Sequence, residues 1–430
     1  MPRKMKESGV EWLGQIPEGW ELRRGKTFLR LLSRIVEDTD DVITCFRDGE
    51  VTLRKNRREE GFTNALKECG YQGVEPGDLV VHGMDGFAGA IGISDSRGKA
   101  SPVLNVMDTD ENKRFVMYYL RVMAMCDVFL ALSTGIRVRS CDLRWNKLGD
   151  LEYLLPPRSE QQQIAAFLDE RCAKIDGMIA EAKASIEDYK KWKQSIIFET
   201  VTGKHEKNLK PSGVDWIGDV PEGWKVCRLK NVASVFGRIG FRGYTTEDLV
   251  AEGDGAISLS PSNLKDMYMD FSKRTYISWA KYEESPEIKV AEGDIVFVKT
   301  GSSYGKSCLV RGLPEKATLN PQLVVIKNIS CNNDFLHYVL QTPFIRYQVE
   351  LIVSGGTIPT MSQEKMGRFS FVLPSKNVQH RIAAELDEKC AAIDKLVGEK
   401  ESLIADLEAY KKSLIFETVT GKREVEKHEE

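Results

Sequence analysis

Residues 164–204 read IAAFLDERCAKIDGMIAEAKASIEDYKKWKQSIIFETVTGK, and residues 382–422 read IAAELDEKCAAIDKLVGEKESLIADLEAYKKSLIFETVTGK. The two stretches align without a gap at an offset of 218, and 23 of 41 positions are identical. In both, apolar residues recur at alternating gaps of four and three, which is the spacing of a coiled-coil seam. The seam residues are Leu168, Ile175, Ile179 and Ile186 in the first copy and Leu386, Ile393, Val397 and Ile404 in the second.

Each copy is predicted to be a long helix. Ser159 and Asn377 can cap the helix starts, and Gly203 and Gly421 follow the helix ends. About 40 residues at 1.5 Å each give a rod of roughly 60 Å. A single heptad helix cannot bury its own seam, so the simplest partner for each copy is the other, paired antiparallel. The alternative is a generic helical hairpin packed on a core.

A second repeat precedes each divergent block. SGVEWLGQIPEGW (8–20) returns as SGVDWIGDVPEGW (212–224), whereas the blocks 21–155 and 225–373 are far less alike. The chain therefore holds one frame twice, around two different inserts. We expect a pseudo-twofold relation between the halves, with the two chain ends close together.

Both inserts have the pattern of mixed α/β domains. DLVVHG (78–83) and DIVFVKTG (294–301) are apolar strands that follow the turns EPGD and AEGD. The predicted fold is α+β, with two mixed α/β domains joined by two long antiparallel coiled-coil helices. The predicted boundaries are 1–157 for the first domain, 158–200 for the first helix, 201–212 for a linker, 213–375 for the second domain, 376–418 for the second helix and 419–430 for a charged tail.

Composition excludes several classes of protein. The net charge is −3, so any binding of nucleic acid must rely on local clusters rather than on a global positive field. Nine scattered cysteines without a CxxC indicate reduced thiols in a cytoplasm, and five histidines without ligand spacing predict no metal site. No apolar run approaches the roughly 20 residues that span a bilayer.

Basic clusters in both inserts are candidates for nucleic-acid contact, since Arg and Lys suit phosphates and guanine edges. The alternative for each cluster is an ordinary solvated face. The candidates in the first insert are Arg54, Lys55, Arg57, Arg58, Arg137, Arg139 and Arg144. Those in the second are Arg238, Arg242, Tyr244, Lys299, Ser303, Tyr304 and Lys306.

Catalytic motifs are not credible in this sequence. TGSSYGKS (300–307) resembles a phosphate-binding loop, but only three residues separate Gly301 from Gly305 where the motif requires four. No nucleophile and base are paired convincingly, so we predict no catalytic residue. The chain is expected to be a binder.

The repeated segments resemble the specificity subunit of type I restriction-modification systems. The resemblance covers the whole chain in order, through SGVxWxGxxPxGW, then LPP or LPS, then QxxIAAxLDE and SxIFETVTGK in both copies. It implies that each insert is a target-recognition domain reading one half of a bipartite, asymmetric DNA site, and that the helices set the unread gap. It also implies a non-catalytic subunit of an adenine-N6 methyltransferase and endonuclease complex.

The same resemblance implies partners. Two methyltransferase subunits would carry S-adenosylmethionine, with no cofactor in this chain, and endonuclease or translocase subunits would join through them on double-stranded DNA in a bacterial or archaeal cytoplasm. The residues expected to dock partners are Trp12, Trp20, Phe198, Trp216, Trp224 and Phe416. The alternative for the tryptophans is that they fill domain cores. The alternative for the whole chain is a coiled-coil scaffold with two protein-binding domains and no DNA recognition.

Overall fold

The computed structural model describes residues 3–57, 68–132, 143–214, 217–238, 243–353 and 360–425. The chain divides into two compact units. Unit 1 comprises residues 1–182 and 402–430, and unit 2 comprises residues 183–401. Because both cuts fall inside a long helix, each unit holds one insert together with parts of both helices.

Unit 1 is rich in short strands. They are β1 (Met5–Glu7), β2 (Gln15–Pro17), β3 (Glu21–Arg24), β4 (Leu29–Leu31), β5 (Ile43–Cys45), β6 (Val51–Leu53), β7 (Gln72–Val74), β8 (Leu79–His82), β9 (Ile91–Ile93), β10 (Gly98–Ala100), β11 (Leu104–Thr109) and β12 (Glu152–Leu155). The helices are α1 (Lys113–Met125), α2 (Val128–Ala131), α3 (Trp145–Asp150) and the first part of α4 (Arg158–Thr202).

The main sheet of unit 1 is antiparallel, in the order β4–β11–β8–β9. Strand β8 is buried on both faces, which explains its continuous apolar run. Leu79 and Val81 join the core that contains Phe115 of α1, whereas Val80 joins a second core with Ile43 of β5. Strand β8 therefore holds the loop that follows it between two packed layers.

Unit 2 has the corresponding strands and one further sheet. The strands are β13 (Leu209–Pro211), β14 (Asp219–Pro221), β15 (Lys225–Arg228), β16 (Ser234–Gly237), β17 (Leu249–Val250), β18 (Gly255–Leu259), β19 (Leu264–Lys265), β20 (Tyr268–Met269), β21 (Tyr276–Ser278), β22 (Ile295–Val298), β23 (Ser307–Leu309), β24 (Ala317–Leu319), β25 (Leu323–Lys327) and β26 (Ser370–Leu373). The helices are α5 (Trp279–Glu283), α6 (Asn333–Leu340), α7 (Pro343–Val353), α8 (Gln363–Met366) and the first part of α9 (Lys376–Val419).

The main sheet of unit 2, β16–β25–β22–β23, repeats the order of the unit 1 sheet. A second sheet, β17–β21–β18–β24, contains the parallel pair β18–β24. In the described part of unit 1, the smaller sheets have two strands each. The two inserts therefore share a central sheet and differ in what is built around it.

The long helices begin at Arg158 and Lys376. The carbonyls of Pro157 and Ser375 accept the first helical hydrogen bonds, from Gln161 and Gln379. The prediction of Ser159 and Asn377 as caps was wrong, because both lie inside the first turn. The helices are 45 and 44 residues long, so the prediction of two long helices is confirmed.

The long helices pack against each other within each unit. In unit 1, the Lys411 ammonium lies 2.6 Å from the Asp176 carboxylate, and in unit 2 the Lys193 ammonium lies 2.7 Å from that of Asp394. The two ion pairs are copies at the repeat offset of 218 and fit an antiparallel pairing. The seam residues Leu168, Ile175, Ile179, Ile186, Leu386 and Ile393 are buried, and Val397 and Ile404 are half-buried.

Each insert is attached to the start of its long helix by matching contacts. In unit 1, the side-chain oxygen of Gln161 accepts the backbone N–H of Asn112, which caps α1, and the Tyr118 hydroxyl donates to Asp169. Gln379, Asn332, Tyr338 and Asp387 make the same contacts in unit 2. The prediction of an α+β fold with two paired long helices is confirmed, and both domains are rich in β-structure.

The C-terminal end of α9 packs on the N-terminal segment of unit 1. Gly421 has a φ of +73°, and a Cβ there would lie 2.3 Å from the Pro17 ring and 3.1 Å from the Trp20 ring. Gly203, after α4, has the same relation to Pro221 and Trp224 in unit 2. In unit 1, the residue that follows α9 therefore packs against the segment that leads into β3.

Gly421→Ala should lower the free energy of unfolding by about 1–3 kcal/mol, because alanine disfavours a positive φ and its methyl group would overlap the rigid Pro17 ring. Gly398→Ala is the matched control. Gly398 lies inside α9 with nothing within 4 Å of an added Cβ, so alanine should raise stability by about 0.5–1 kcal/mol. Urea unfolding measures both, and an equal effect of the two substitutions would contradict the packing.

Candidate nucleic-acid interface

Equivalent hairpin loops lie at the same place in the two main sheets. The Asp78 carboxylate accepts the backbone N–H of Glu75 at 2.8 Å, and Asp294 accepts that of Ala291 at 2.8 Å. These two buried aspartates hold the turns that lead into β8 and β22. Val81 pairs with Ile91 and Phe297 with Ser307, so the loops 83–90 and 299–306 have equal length.

The loop of unit 1 borders a cleft of about 700 Å³, which we call the unit 1 cleft. It is lined by Ile43, Thr44, Cys45, Phe46, Arg47, Asp48, Arg54, Arg57, His82, Asp85, Ser101 and Leu104. Burial raises the pKa of the Cys45 thiol to about 12, so that side chain adds no negative charge. Three arginines and two carboxylates line the cleft, and a third carboxylate, that of Glu50, binds Arg57 at 3.1 Å.

The arginines of the unit 1 cleft are held in defined positions. Arg47 binds Asp85 at 2.8 Å, Arg57 binds Asp48 at 2.6 Å, and Arg54 donates to Thr44 at 3.4 Å. The Arg57 guanidinium also lies 4.3 Å from the Phe46 ring centroid. These contacts orient the guanidinium groups.

The other predicted contacts of the first insert are spread out. Lys55 is exposed and bound to Asp41, and Arg144 is exposed just before α3. Arg58, Arg137 and Arg139 lie outside the described residues. The structure thus brings Arg54 and Arg57 together with Arg47, a residue that the sequence analysis did not select.

In unit 2, Lys299 begins the equivalent loop. It is half-buried, and desolvation lowers the pKa of its ammonium group. Among the described residues, no hydrogen bond or ion pair satisfies that group. A cation removed from water without a counter-ion is ready to bind an anion.

The remaining residues of this loop lie beside α7. The Arg346 guanidinium lies 4.7 Å from the Tyr304 ring centroid and donates to the Tyr304 carbonyl at 2.8 Å. Lys306 is exposed and lines a cleft of about 350 Å³ together with Arg346, and Ser303 is half-buried. Three cations therefore surround one loop.

Arg238 and Tyr244 occupy a different environment. Arg238 is 4% exposed and donates to the Leu319 carbonyl at 3.0 Å, and burial lowers the pKa of its guanidinium group. The Tyr244 hydroxyl accepts from Ser258 at 3.0 Å. Both bind strands of the second sheet, and Arg242 lies outside the described residues.

Several of the tryptophans selected as docking residues are internal. Trp20 is 1% exposed and its indole donates to Glu160 at 3.0 Å, Trp224 is 8% exposed, and the half-buried Trp12 lies 5.9 Å from the Tyr119 ring. The half-buried Phe198 and Phe416 lie 4.3 Å and 4.5 Å from the ammonium groups of Lys204 and Lys422. Trp216 lies outside the described residues.

Two aromatic residues that the repeat places near the helix ends are exposed. Trp192 and Tyr410 occupy equivalent positions of α4 and α9, and they are 52% and 51% exposed. Their equivalence in the repeat suggests one surface that is used twice. The sequence analysis did not select His82 or Arg47, for which the available signals were a histidine at the end of the apolar strand β8 and an arginine in the turn between β5 and β6.

In the described residues, no group of three or more His, Cys, Asp or Glu could hold a metal ion. Within the same part of the chain, no helix is both long and apolar enough to cross a membrane.

No family model matches the chain. Over 435 residues it is 24% identical to a Methanocaldococcus jannaschii protein provisionally named type I restriction enzyme MjaX specificity subunit, with 95% of both chains covered. It is 24% identical to the Escherichia coli type I restriction enzyme EcoBI specificity subunit, covering 81% of this chain and 74% of that one. A chain from a solved type I restriction-modification system has the same fold, with a TM-score of 0.70 over 95% of this chain and 99% of that one, at 15% identity.

The chain is therefore similar over most of its length to proteins named specificity subunits of type I restriction enzymes, and it shares the fold of a chain from a type I restriction-modification system. The resemblance found in the repeated segments is confirmed over 95% of the chain.

Lys299→Met should raise the free energy of unfolding at pH 7, by less than about 1 kcal/mol once solvent screening is allowed for, because the fold disfavours the charged ammonium. In the folded protein the pKa of Lys299 lies below its ordinary value of 10.5. As the pH rises toward 10.5 the ammonium loses its proton, and the cost of burying its charge disappears. The difference in unfolding free energy between Lys299→Met and the wild type should therefore shrink. Urea unfolding at several pH values measures this.

The matched control for Lys299→Met is Lys306→Met in the same loop. Lys306 is exposed, so its replacement should change stability by less than about 0.5 kcal/mol. A destabilised Lys299→Met protein would show that the ammonium makes a stabilising interaction in the folded state.

Proposed function

We propose that each insert reads one half of a bipartite, asymmetric duplex site. The observation that carries this proposal is the pair of equivalent hairpin loops, 83–90 and 299–306, each surrounded by positioned cations in its own unit. The sheets below the loops are alike, whereas the loop sequences differ. One frame presenting two different sets of donors suits two different half-sites.

The proposed domains follow from this separation between the inserts, which read DNA, and the helices, which space them. The two target-recognition domains are residues 1–157 and 213–375, and the spacer helices are residues 158–200 and 376–418. Residues 201–212 form a linker, and residues 419–430 form the tail. A helix of 45 residues is roughly 68 Å long at 1.5 Å per residue, compared with ~34 Å for one turn of the duplex. The helices are long enough to set the gap between two half-sites one turn apart.

The DNA contacts that we propose are graded by their environment. The first group borders the hairpin loops. It comprises Arg54 and Arg57 in the unit 1 cleft and Lys299, Ser303, Tyr304 and Lys306 in unit 2. Lys55 and Arg144 are exposed outer candidates, and Arg58, Arg137, Arg139 and Arg242 stay sequence predictions. Arg238 and Tyr244 would support the second sheet beneath the reading surface, since both bind its strands.

The proposed partners are two methyltransferase subunits, each with S-adenosylmethionine, joined by endonuclease or translocase subunits in the cytoplasm of a bacterium or archaeon. Equivalent helix surfaces can accept two copies of one partner. Phe198 and Phe416 belong to these surfaces, and we add the exposed Trp192 and Tyr410. Trp12, Trp20 and Trp224 would act indirectly, by holding the segments that border the helix ends, and Trp216 stays a sequence prediction.

A complex of this chain with its methyltransferase partner should protect two separate tracts of duplex in a footprint, whereas the chain alone should protect them weakly. In that complex, Lys299→Met should reduce affinity and lower the slope of log K against log salt by about 1, because one phosphate contact is lost. Lys395→Met is the control, since Lys395 is exposed on α9, and it should leave the slope unchanged. Salt-independent retention of another protein, with no protected DNA, would instead support the scaffold alternative.

Inserting four residues after Glu181 and four after its equivalent, Glu399, should lengthen the tolerated gap without changing either half-site. The insertion adds about 6 Å to each helix, or roughly two base pairs. Methylation-aware sequencing of host DNA reads out gap and half-sites together. An altered half-site with an unchanged gap would contradict the separation of spacer and reading domains.

A further inference from the structure

His82 is fixed in one tautomer at the edge of the unit 1 cleft. It ends strand β8, and its Nδ1 atom accepts the backbone N–H groups of Met84 at 3.2 Å and Asp85 at 3.1 Å. Two N–H groups directed at Nδ1 require a lone pair there, so the ring proton of the neutral imidazole sits on Nε2. The loop backbone thereby makes His82 a hydrogen-bond donor at Nε2.

The surroundings of the ring also favour this neutral donor. Burial lowers the pKa of His82, and a second proton would have to sit on Nδ1 against the two N–H groups. The described residues provide no hydrogen-bond partner for Nε2. His82 therefore contributes to the lining of the cleft a donor that no described residue satisfies.

The polar groups around His82 are mostly donors. Arg47, Arg54 and Arg57 line the same cleft, and its two carboxylates are bound by Arg47 and Arg57. A ligand that accepts the Nε2–H of His82 must present an acceptor there. Among base edges in the major groove, guanine alone presents two acceptors, N7 and O6, and no donor or methyl group.

We propose that the unit 1 cleft reads a guanine in the half-site of the first insert and that the Nε2–H of His82 donates to its N7 or O6 atom. The proposal rests on the proposed bipartite reading of DNA and names the base that one position requires. In unit 2 the position equivalent to His82 is Val298, which is fully buried. This readout therefore belongs to one half-site and not to the other.

A purely structural role for His82 predicts something different. If the ring served only to hold the loop through Nδ1, any side chain with an acceptor at that point would replace it. Asparagine keeps an acceptor oxygen close to the Nδ1 position and has no donor at the Nε2 position. Glutamine can place an amide N–H near the Nε2 position. The two variants therefore separate holding the loop from reading the base.

The test uses the full chain in complex with its methyltransferase partner and duplexes carrying the recognition site. Each guanine of the site is replaced in turn by 7-deazaguanine, which lacks the N7 acceptor, and by 2-aminopurine, which lacks O6. We expect one guanine in the first half-site at which one of these changes weakens wild-type binding about tenfold. In His82→Asn the same change should have no further effect, and His82→Gln should recover part of the discrimination.

His205→Gln provides the control for loss of a histidine, because His205 is exposed in the linker after α4 and bonded only to Glu199 among the described residues. It should leave discrimination unchanged at every base.

Full discrimination in His82→Asn, or a change confined to the second half-site, would overturn the proposal. The base analogues test the wild-type complex directly, so they remain decisive even if a His82 variant fails to fold. If no guanine in the first half-site is sensitive to either analogue, the proposal is refuted. Absence of any bipartite protection would instead refute the proposed function itself.

Discussion

The apolar seam of the two long helices must be covered, and the rest of the structure depends on how this is done. Within each unit, a segment of α4 packs against a segment of α9, and burying one leucine such as Leu168 or Leu386 contributes about 1.5–3 kcal/mol. The ion pairs Asp176–Lys411 and Lys193–Asp394 are partly exposed and contribute less, about 0–1 kcal/mol each. The seam thus supplies the stability, and the ion pairs select the register.

The inserts are mounted on this helical frame by contacts that the repeat preserves. Gln161 and Gln379 bind the caps of α1 and α6, and the buried Asp78 and Asp294 fix the turns before the hairpin loops. Because the loops extend from sheets that are already held, their residues can change without disturbing the frame. This arrangement explains how two inserts of one plan can have different recognition surfaces.

The recognition that we propose relies on polar groups that no described residue satisfies. Lys299 is desolvated without a counter-ion among the described residues, and His82 has a proton on Nε2 that no described residue accepts. Groups of this kind cost stability in the free protein and bind strongly once a ligand completes them. A net charge of −3 is compatible with DNA binding because these few groups are concentrated on two loops.

The sequence by itself predicted the duplicated frame, the two long paired helices, the family resemblance and several of the residues near the two hairpin loops. It could do so because heptad spacing and repeats can be read from the order of residues along the chain. It could not show that Arg238 is buried under the carbonyl of Leu319, 81 residues away, or that Trp20 lies inside the core. Nor could it show that two backbone N–H groups decide where the His82 proton sits. Burial and hydrogen-bond direction depend on residues brought together from distant parts of the chain, so only the tertiary structure decided which polar side chains are available for recognition.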